Sequence, residues 1–391
     1  MTEAMQAIDL KNLDKYGWKT YRFDEIAKNI SERVDPNNTD LNVYIGLEHI
    51  DPESIHIKRT GTPDDVNGQK LRCYPGDVIF GRRRAYQRKA AIVTTDGFCS
   101  AHSLVLRANP DVIEPKLFPF FLHSDLFMHR AIDISVGSLS PTINWGTLKN
   151  QEFLLPPKNQ QAQLAELLWA LDEMVEKDKQ IFNKEKTLKD SLRAKYFSIN
   201  NSKKTIRIGD VADLTAGGTP STAINDYWDN GTVLWMSSGE VHKKRLFDTD
   251  KKITELGLKN SSAKFIPIHS CLIALAGQGK TKGTVAINEV ELTTNQSVAA
   301  IIPDKEKINP YYLFHNLDSR YIDLRNITGE RNSRIGLNLQ ILKNFIIAYH
   351  SNDEMKEIAG LFNSLDENIN VIDKKINSSK DLLKSLINQI F

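Results

Sequence analysis

The sequence has little cysteine and no long apolar run, and both absences narrow the class of protein. Its 391 residues include only 3 cysteines, Cys73, Cys99 and Cys271, and no two of them have the close spacing of a metal knuckle. Its apolar stretches fall far short of the roughly 20 residues that cross a bilayer. The first residues, MTEAMQAIDL, also show no signal-peptide pattern. We therefore expect a soluble protein of the cytoplasm.

The chain also has almost no net charge. Its 51 lysines and arginines are balanced by 49 aspartates and glutamates, which leaves a formal charge of +2. A nucleic-acid-binding protein with this balance must concentrate its basic side chains in one patch. The densest basic segment is GRRRAYQRK, residues 81–89. Such a run taken alone is more often a solvated surface than a binding site.

An internal repeat settles the organisation of the chain. When the sequence is shifted by 194 residues, residues 152–197 align with residues 346–391 without a gap, and 11 of 46 positions are identical. Upstream, RFDEIA (22–27) matches RIGDVA (207–212), and YIGLEHI (44–50) matches WMSSGEV (235–241). The chain therefore contains the same plan twice, and a genuine active site should occur twice.

Each copy ends in a long helical segment with an apolar heptad stripe. The second copy keeps this stripe over more than four heptads, and its 39 residues predict a helix of roughly 58 Å. The first copy has Asp178, Glu185 and Lys189 at stripe positions, which would weaken pairing there or recruit other partners. We expect the two helices to pair antiparallel, as a rigid spacer between globular parts related by a pseudo-two-fold axis. Two ordinary helices packed on their own domains are the alternative. The predicted coiled-coil residues are Leu164, Leu168, Leu171, Val175, Ile358, Phe362, Leu365, Ile369, Ile372 and Ile376.

The globular parts have the pattern of a mixed α/β (α+β) fold that is rich in strands. Short apolar runs such as DVIFG, SLVLR, CLIALA and SVAAII lie between turn residues, and PYYLFHNL (310–317) predicts a helix with proline at its first position. We predict a first domain over residues 1–157, a first spacer helix over 158–199, a second domain over 200–350 and a second spacer helix over 351–391.

Two segments resemble catalytic motifs without matching them. ALAGQGKT (274–281) lacks the first glycine of a phosphate-binding P-loop, and a strand pattern follows it where a P-loop needs a helix. NPYY (309–312) lacks the second proline of the adenine-methyltransferase tetrapeptide and is better explained as a helix start. No zinc-protease or serine-hydrolase motif occurs, and His49, His102 and His269 are expected to be structural histidines. The sequence predicts no active site and no metal site.

Both copies place basic and amide side chains at the same hairpin. It is residues 81–89 in the first copy and the segment with Gln278, Lys280 and Lys282 in the second. This agreement favours a recognition role. Arginine and lysine bind DNA phosphates, while arginine, asparagine and glutamine can also bind base edges. The turn GGTPST (217–222) and the matched loops VGSLSPT (136–142) and TGERNSR (328–334) are further candidates, although each could be an ordinary loop. The candidate DNA-binding residues are Arg82, Arg83, Arg84, Tyr86, Gln87, Arg88, Lys89, Ser138, Gly217, Gly218, Thr219, Gln278, Lys280, Lys282, Arg331, Ser333 and Arg334.

The whole chain resembles the specificity subunits of type I restriction-modification systems. The resemblance rests on the duplicated plan, on LTAGGTPSTAINDYWDNGTVLWMSSGEV (214–241), on PGDVIFGRRRAYQRKAAI (75–92) and on the terminal SLINQIF (385–391). The first copy departs from it, since it has KNISERVDP (28–36) where the second has the GGTPS turn.

The resemblance implies two target-recognition domains that each bind one half of a bipartite, asymmetric DNA sequence, with a helical spacer that sets the gap. It implies a non-catalytic subunit that carries two modification subunits and recruits restriction subunits. S-adenosylmethionine, ATP and Mg are then used by those partners, which methylate adenine or cleave DNA, and none is bound by this chain. A coiled-coil adaptor without DNA specificity and a degenerate P-loop enzyme are the alternatives.

Overall fold

The chain forms two compact units that each contain part of both long helices. The computed structural model describes residues 15–277, 280–327 and 337–391, except for the side chain of Asn201. Unit 1 comprises Met1–Gln180 with Lys374–Phe391, and unit 2 comprises Ile181–Asp373. Within the described ranges, no helix has both the length and the apolar composition needed to span a bilayer.

Unit 1 contains three antiparallel or mixed sheets built from short strands. One sheet has the order β2-β9-β6-β7, a second has the order β3-β5-β8-β4, and β1 pairs with β10. Strands β6 and β9 are almost entirely buried, as expected for their continuous apolar runs. The strands are β1 (Lys19–Arg22), β2 (Ala27–Ile30), β3 (Arg33–Val34), β4 (Tyr44–Ile45), β5 (Lys70–Cys73), β6 (Val78–Gly81), β7 (Ala90–Ile92), β8 (Gly97–Cys99), β9 (Ser103–Ala108) and β10 (Glu152–Leu155).

The helices of unit 1 pack on these sheets around an aromatic core. Phe23, Phe121, Phe127 and Phe153 are buried there, and the ring centroids of Phe121 and Phe153 lie 5.1 Å apart. Tilted and edge-on ring pairs of this kind add to the free energy gained from apolar burial. The helices are α1 (Phe23–Ile26), α2 (Phe118–His123), α3 (Asp125–Asp133), α4 (Trp145–Leu148) and the long α5 (Lys158–Phe197), which continues into unit 2.

Unit 2 repeats the arrangement with more strands in its main sheet. That sheet has the order β12-β19-β16-β17-β14, a second has the order β15-β13-β18, and β11 pairs with β20. The strands are β11 (Thr205–Arg207), β12 (Ala212–Ala216), β13 (Val233–Met236), β14 (Arg245–Leu246), β15 (Lys251–Ile253), β16 (Cys271–Ala274), β17 (Val285–Asn288), β18 (Thr293–Thr294), β19 (Val298–Pro303) and β20 (Ile346–Ala348).

The helix predicted over residues 310–317 is present in unit 2 as α8, Pro310–Ser319. Asn309 caps it, because its Oδ1 accepts hydrogen bonds from the backbone N–H groups of Tyr311 and Tyr312 at 3.0 Å. This confirms that NPYY is a helix start. The other helices are α6 (Ile208–Val211), α7 (Glu255–Lys259), α9 (Tyr321–Asn326), α10 (Leu339–Lys343) and the long α11 (Asn352–Ile390).

Opposite ends of the long helices α5 and α11 pack together in each unit. In unit 1, Leu164 and Leu168 near the start of α5 share a core with Leu386 and Ile390 near the end of α11. In unit 2, the Phe197 ring at the end of α5 lies 5.0 Å from that of Phe362 near the start of α11. The helices therefore pair antiparallel within each unit, and the predicted fold class is confirmed.

The predicted coiled-coil residues occupy this seam to different depths. Leu171, Ile369 and Ile372 are half-buried, and the others are buried: Leu164, Leu168, Val175, Ile358, Phe362, Leu365 and Ile376. Two of the three charged stripe residues of α5 have partners of opposite charge on α11. In unit 1, Asp178 accepts from Lys375 at 3.0 Å, and in unit 2, Lys189 pairs with Asp366. These two ion pairs compensate the charges of Asp178 and Lys189 between the helices, at positions where the sequence predicted weaker helix pairing.

Candidate nucleic-acid interface

The basic segment 81–89 of unit 1 forms a short structured loop between β6 and β7. A single turn of 3-10 helix, Ala85–Gln87, lies at its centre, and its first and last flanking residues, Arg84 and Arg88, have φ values of 54° and 52°. Left-handed conformations are uncommon for residues other than glycine and are held in place by surrounding structure. The loop is therefore a turn with a defined backbone conformation.

Two of the five cations in this loop point into unit 1. The Arg88 Nη1 lies 2.7 Å from Asp125 Oδ1, and its Nη2 donates to the His123 carbonyl at 2.7 Å. Lys89 Nζ donates to the Leu47 carbonyl at 2.6 Å. Both side chains have internal partners that anchor the hairpin, and their predicted contact with DNA stays a prediction.

The remaining residues of the loop lie toward the surface. Arg83 and Arg84 are exposed, and the Tyr86 side chain is 56% exposed. Arg82 and Gln87 are half-buried, and the buried Nε of Arg82 has no hydrogen-bond partner among the described residues. These residues combine the cations, an aromatic face and an amide in one place, which is the chemistry that nucleic-acid surfaces use.

The predicted loop VGSLSPT (136–142) packs directly against this arginine loop. Arg83 and Thr142 form a β-bridge, and the Arg84 backbone N–H donates to the Pro141 carbonyl at 2.8 Å. Ser138 is exposed, and Leu139 is 93% exposed. Two segments about 50 residues apart in the sequence thus form one surface in unit 1, the arginine surface: residues 82–87 with residues 136–142.

His102 belongs to the same surface, although the sequence analysis expected it to be a structural histidine. Its ring is exposed at the turn between β8 and β9, and its Nε2 lies 3.3 Å from Arg83 Nη1. Partial burial lowers the pKa of His102, and the nearby positive charges of Arg83, Arg82 and Lys70 lower it further. The imidazole is therefore neutral at pH 7. His102 comes close to the arginine loop because Arg82 forms backbone hydrogen bonds with residues 102 and 143. The spacing of these residues in the sequence does not reveal that pairing.

Unit 2 repeats a backbone hydrogen bond at the edge of the arginine surface. The Ile143 N–H donates to the Arg82 carbonyl in unit 1, and the Leu337 N–H donates to the Leu275 carbonyl in unit 2, both at 2.9 Å. Ile143 and Leu337 are 194 residues apart, which is the period of the repeat. Lys280 is exposed and Lys282 is half-buried. Gln278, Arg331, Ser333 and Arg334 lie outside the described residues.

The GGTPST turn of unit 2 is a tightly packed corner. A Cβ added to Gly217 would lie 2.0 Å from the Thr294 carbonyl oxygen, and one added to Gly218 would lie 2.4 Å from the backbone of Ser262. The Trp235 Nε1–H donates to the Gly218 carbonyl at 2.9 Å, and Thr219 donates to Gln296 at 2.5 Å. Glycine is required here for close packing, and only Thr219 of the three predicted residues presents a side chain. Their role in DNA binding stays a prediction.

The structure does not support a P-loop at ALAGQGKT (274–281) or a metal site among the described residues. Strand β17 follows ALAGQGKT, so the helix N-terminus that a P-loop needs is not there. Across the described residues, no group of three histidine, cysteine or acidic side chains has metal-binding geometry. His49 accepts from the Gly46 N–H at 3.0 Å, and His269 lies 3.6 Å from Glu289, as expected for structural histidines.

Known proteins match this chain along nearly its whole length. A sequence model described as "Type I restriction modification DNA specificity domain" matches residues 15–184 and again residues 200–379. The EcoR124I/EcoR124II specificity subunit of Escherichia coli is 29% identical over 167 residues, which cover 42% of this chain and 41% of that relative. The chain thus spans about two fifths of the length of that curated relative. The HindI specificity subunit of Haemophilus influenzae is 20% identical over 456 aligned positions, with 94% of this chain and 97% of the relative covered.

Solved structures have the same fold. The type I restriction-modification S subunit from M. genitalium superposes with a TM-score of 0.66 at 15% identity and covers 97% of this chain and 98% of that one. A chain from a type I restriction-modification complex gives a TM-score of 0.57 at 18% identity, with 96% of both chains covered. With two matched segments that together span most of its length, the chain belongs to the family of type I restriction-modification DNA specificity domains and carries two copies of that domain.

Proposed function

We propose that this chain is the DNA-specificity subunit of a type I restriction-modification complex and acts in the cytoplasm. Each domain would bind one half of a bipartite, asymmetric DNA target, and the paired helices would set the gap between the halves. The chain would carry two modification subunits and recruit restriction subunits. It would itself perform no chemistry and bind no cofactor, because the partners use S-adenosylmethionine, ATP and Mg.

One observation supports this proposal above the others. The arginine surface of unit 1 presents exposed Arg83, Arg84 and Tyr86 on one loop, which backbone hydrogen bonds join to residues 136–142. The backbone hydrogen bond from Ile143 to Arg82 beside this surface recurs in unit 2 as the bond from Leu337 to Leu275. Exposed Lys280 lies on the matched hairpin there. Duplicated recognition surfaces with different side chains suit a target whose two halves have different sequences.

The test is to replace Arg82, Arg83 and Arg84 together by alanine in the assembled complex. We expect weaker DNA binding and an altered base preference in one half of the target only, because the three residues lie in unit 1. Genome-wide mapping of methylated adenines measures both halves at once. An unchanged target profile would contradict the proposal.

Two further measurements separate the alternatives. DNA affinity should fall as salt rises, because phosphate contacts release counterions, and affinity independent of salt would favour a protein adaptor. ATP turnover by the isolated chain that Lys280→Ala abolishes would favour a P-loop enzyme and refute the proposed role.

A further inference from the structure

Arg83 is held by two neighbours in a way that no other exposed arginine of the loop is. Its Nε donates to Ser140 Oγ at 3.2 Å, and its Nη1 lies 3.3 Å from His102 Nε2. The backbone of Arg83 is fixed as well, since it forms a β-bridge with Thr142. The neighbouring Arg84 is exposed, and its side chain has no hydrogen bond or ion pair with the described residues.

The chemistry of the pair fixes the state of His102. A guanidinium carries only hydrogen-bond donors, so the imidazole Nε2 must be the acceptor and its proton must lie on Nδ1. This tautomer requires a neutral ring. Three positive side chains, Arg82, Arg83 and Lys70, face His102 and favour that neutral form.

Two of the five N–H donors of Arg83 are engaged, which leaves three for a ligand. They are the second hydrogen on Nη1 and the two hydrogens on Nη2, so free donors remain on two adjacent nitrogens. A guanidinium already fixed at two donors loses less freedom on binding than a solvated one, so its remaining donors are preorganised. A fixed pair of donors suits a bidentate acceptor, and the commonest such partner in the major groove is guanine, through O6 and N7.

We infer that Arg83 reads a guanine in the half-target bound by unit 1, and that Ser140 and His102 are positioning residues that orient its guanidinium. This inference rests on the proposed function. It separates the neighbours in the loop by role: Arg83 discriminates between bases, and Arg84 contacts phosphate and contributes equally to every sequence.

The experiment uses the assembled complex and measures relative binding to targets that differ at one base pair. Arg83→Ala should reduce discrimination at one position, the guanine, by about 5- to 150-fold and leave the other half-target unchanged. His102→Ala and Ser140→Ala should reduce discrimination at that same position by a smaller factor. Neither should have any further effect when combined with Arg83→Ala, since both act through that side chain.

Two more variants distinguish positioning from general loss of structure. His102→Gln should restore discrimination, because the amide Oε1 can accept from Arg83 as the imidazole does. Arg84→Ala is the matched control on the next residue. It should weaken binding to all sequences alike and lower the dependence of log affinity on log salt by about one unit.

The outcomes are separable from those of the proposed function. If Arg83→Ala changes every position equally, or if His102→Ala and Ser140→Ala leave the guanine position untouched, the inference is wrong while the subunit still selects DNA. A failure of His102→Gln to restore discrimination overturns the positioning role. If the wild-type complex prefers no sequence at all, the proposed function itself fails.

Discussion

The same helix position has opposite chemistry in the two copies of the repeat. In unit 1, α2 contributes the buried Phe120, whose ring lies 5.4 Å from that of Trp169 on α5. In unit 2, when Pro115 is aligned with Pro310, the residue at this position is His315, which is 1% exposed. One copy therefore fills its interior with aromatic carbon, and the other places an imidazole there.

The imidazole of unit 2 is part of a polar cluster against α11. Its Nε2–H donates to Asn363 Oδ1 at 2.8 Å, and its Nδ1 lies 3.8 Å from Asp366 Oδ2. Asn363 Oδ1 also accepts from Arg245 at 2.5 Å. Burial lowers the pKa of His315 to about 4 and outweighs the nearby Asp366 carboxylate.

The comparison shows that the repeat preserves shape rather than interior chemistry. Both units keep the heptad spacing and the hairpin, because in each unit the apolar stripes of α5 and α11 must pack against each other. Apolar packing has the same strength at any pH, whereas a buried neutral histidine makes stability depend on protonation. We therefore expect the two units to respond differently to core substitutions and to acid.

The largest effect is expected from the aromatic core of unit 1. Phe121→Ala removes a fully buried ring and should lower the free energy of unfolding by about 3–5 kcal/mol. Amide hydrogen exchange, resolved along the chain, should place the loss of protection in unit 1 and show the same loss at pH 5 and pH 7. Leu139→Ala, at an exposed position of the same unit, should change stability by less than about 0.5 kcal/mol. A similarly small change for Phe121→Ala would refute the role of this core.

An acid-sensitive loss of stability that depends on His315 should appear in unit 2. The folded-state pKa of His315, about 4, lies below the unfolded value of about 6.5, so the unfolded state takes up a proton first as pH falls. Stability is full above pH 6.5 and should fall by about 3 kcal/mol on acidification to pH 4.

Hydrogen exchange of unit 2 as a function of pH measures this effect. The control is His315→Phe, which places the unit 1 type of side chain at this position and should reduce the slope of the unit 2 profile between pH 6.5 and pH 4. An unchanged slope in that variant would show that other groups control the acid response.

A smaller effect should distinguish the anchors of the two hairpins. Arg88 in unit 1 pairs with Asp125, and when Pro115 is aligned with Pro310 the residue that corresponds to Asp125 is Arg320, so unit 2 lacks this acid. Arg88→Ala should lower the stability of unit 1 by about 2 kcal/mol, because it removes charged hydrogen bonds from a largely buried site. Urea unfolding measures this loss, with Arg84→Ala as the exposed control at less than about 0.5 kcal/mol. Equal effects of the two variants would show that Arg88 is not an anchor.

Much of the fold could be predicted from the sequence because its signals are local and periodic. The heptad spacing of Leu164, Leu168, Ile358 and Phe362 predicts the paired helices, and Asn309 followed by proline predicts the start of α8. The charge pairing of Asp178 with Lys375 could not be predicted in the same way. It depends on which residue of the other helix lies opposite, and that register is a property of the folded pair.

The candidate interface was predictable only in part. The arginine run marked the loop, but a count of charges does not distinguish Arg83, which faces outward, from Arg88, which is anchored inside. Gly217 and Gly218 were predicted to bind DNA, which stays a prediction, and the structure gives them a packing role in which any Cβ would collide with backbone. The direction of each side chain and its distance to neighbouring atoms decide these roles, and the composition of a segment predicts neither.

The sequence by itself determined the duplication, the helical spacer pattern and the position of the basic hairpin, because periodicity and residue type suffice for each. Only the tertiary structure decided that residues 136–142 and His102 join that hairpin, and that Ser140 and His102 hold Arg83. Those contacts join residues 19 to 57 positions apart. Long-range contacts form when strands pair and loops meet, so they follow from the three-dimensional packing of the sheets and not from any local pattern of residues.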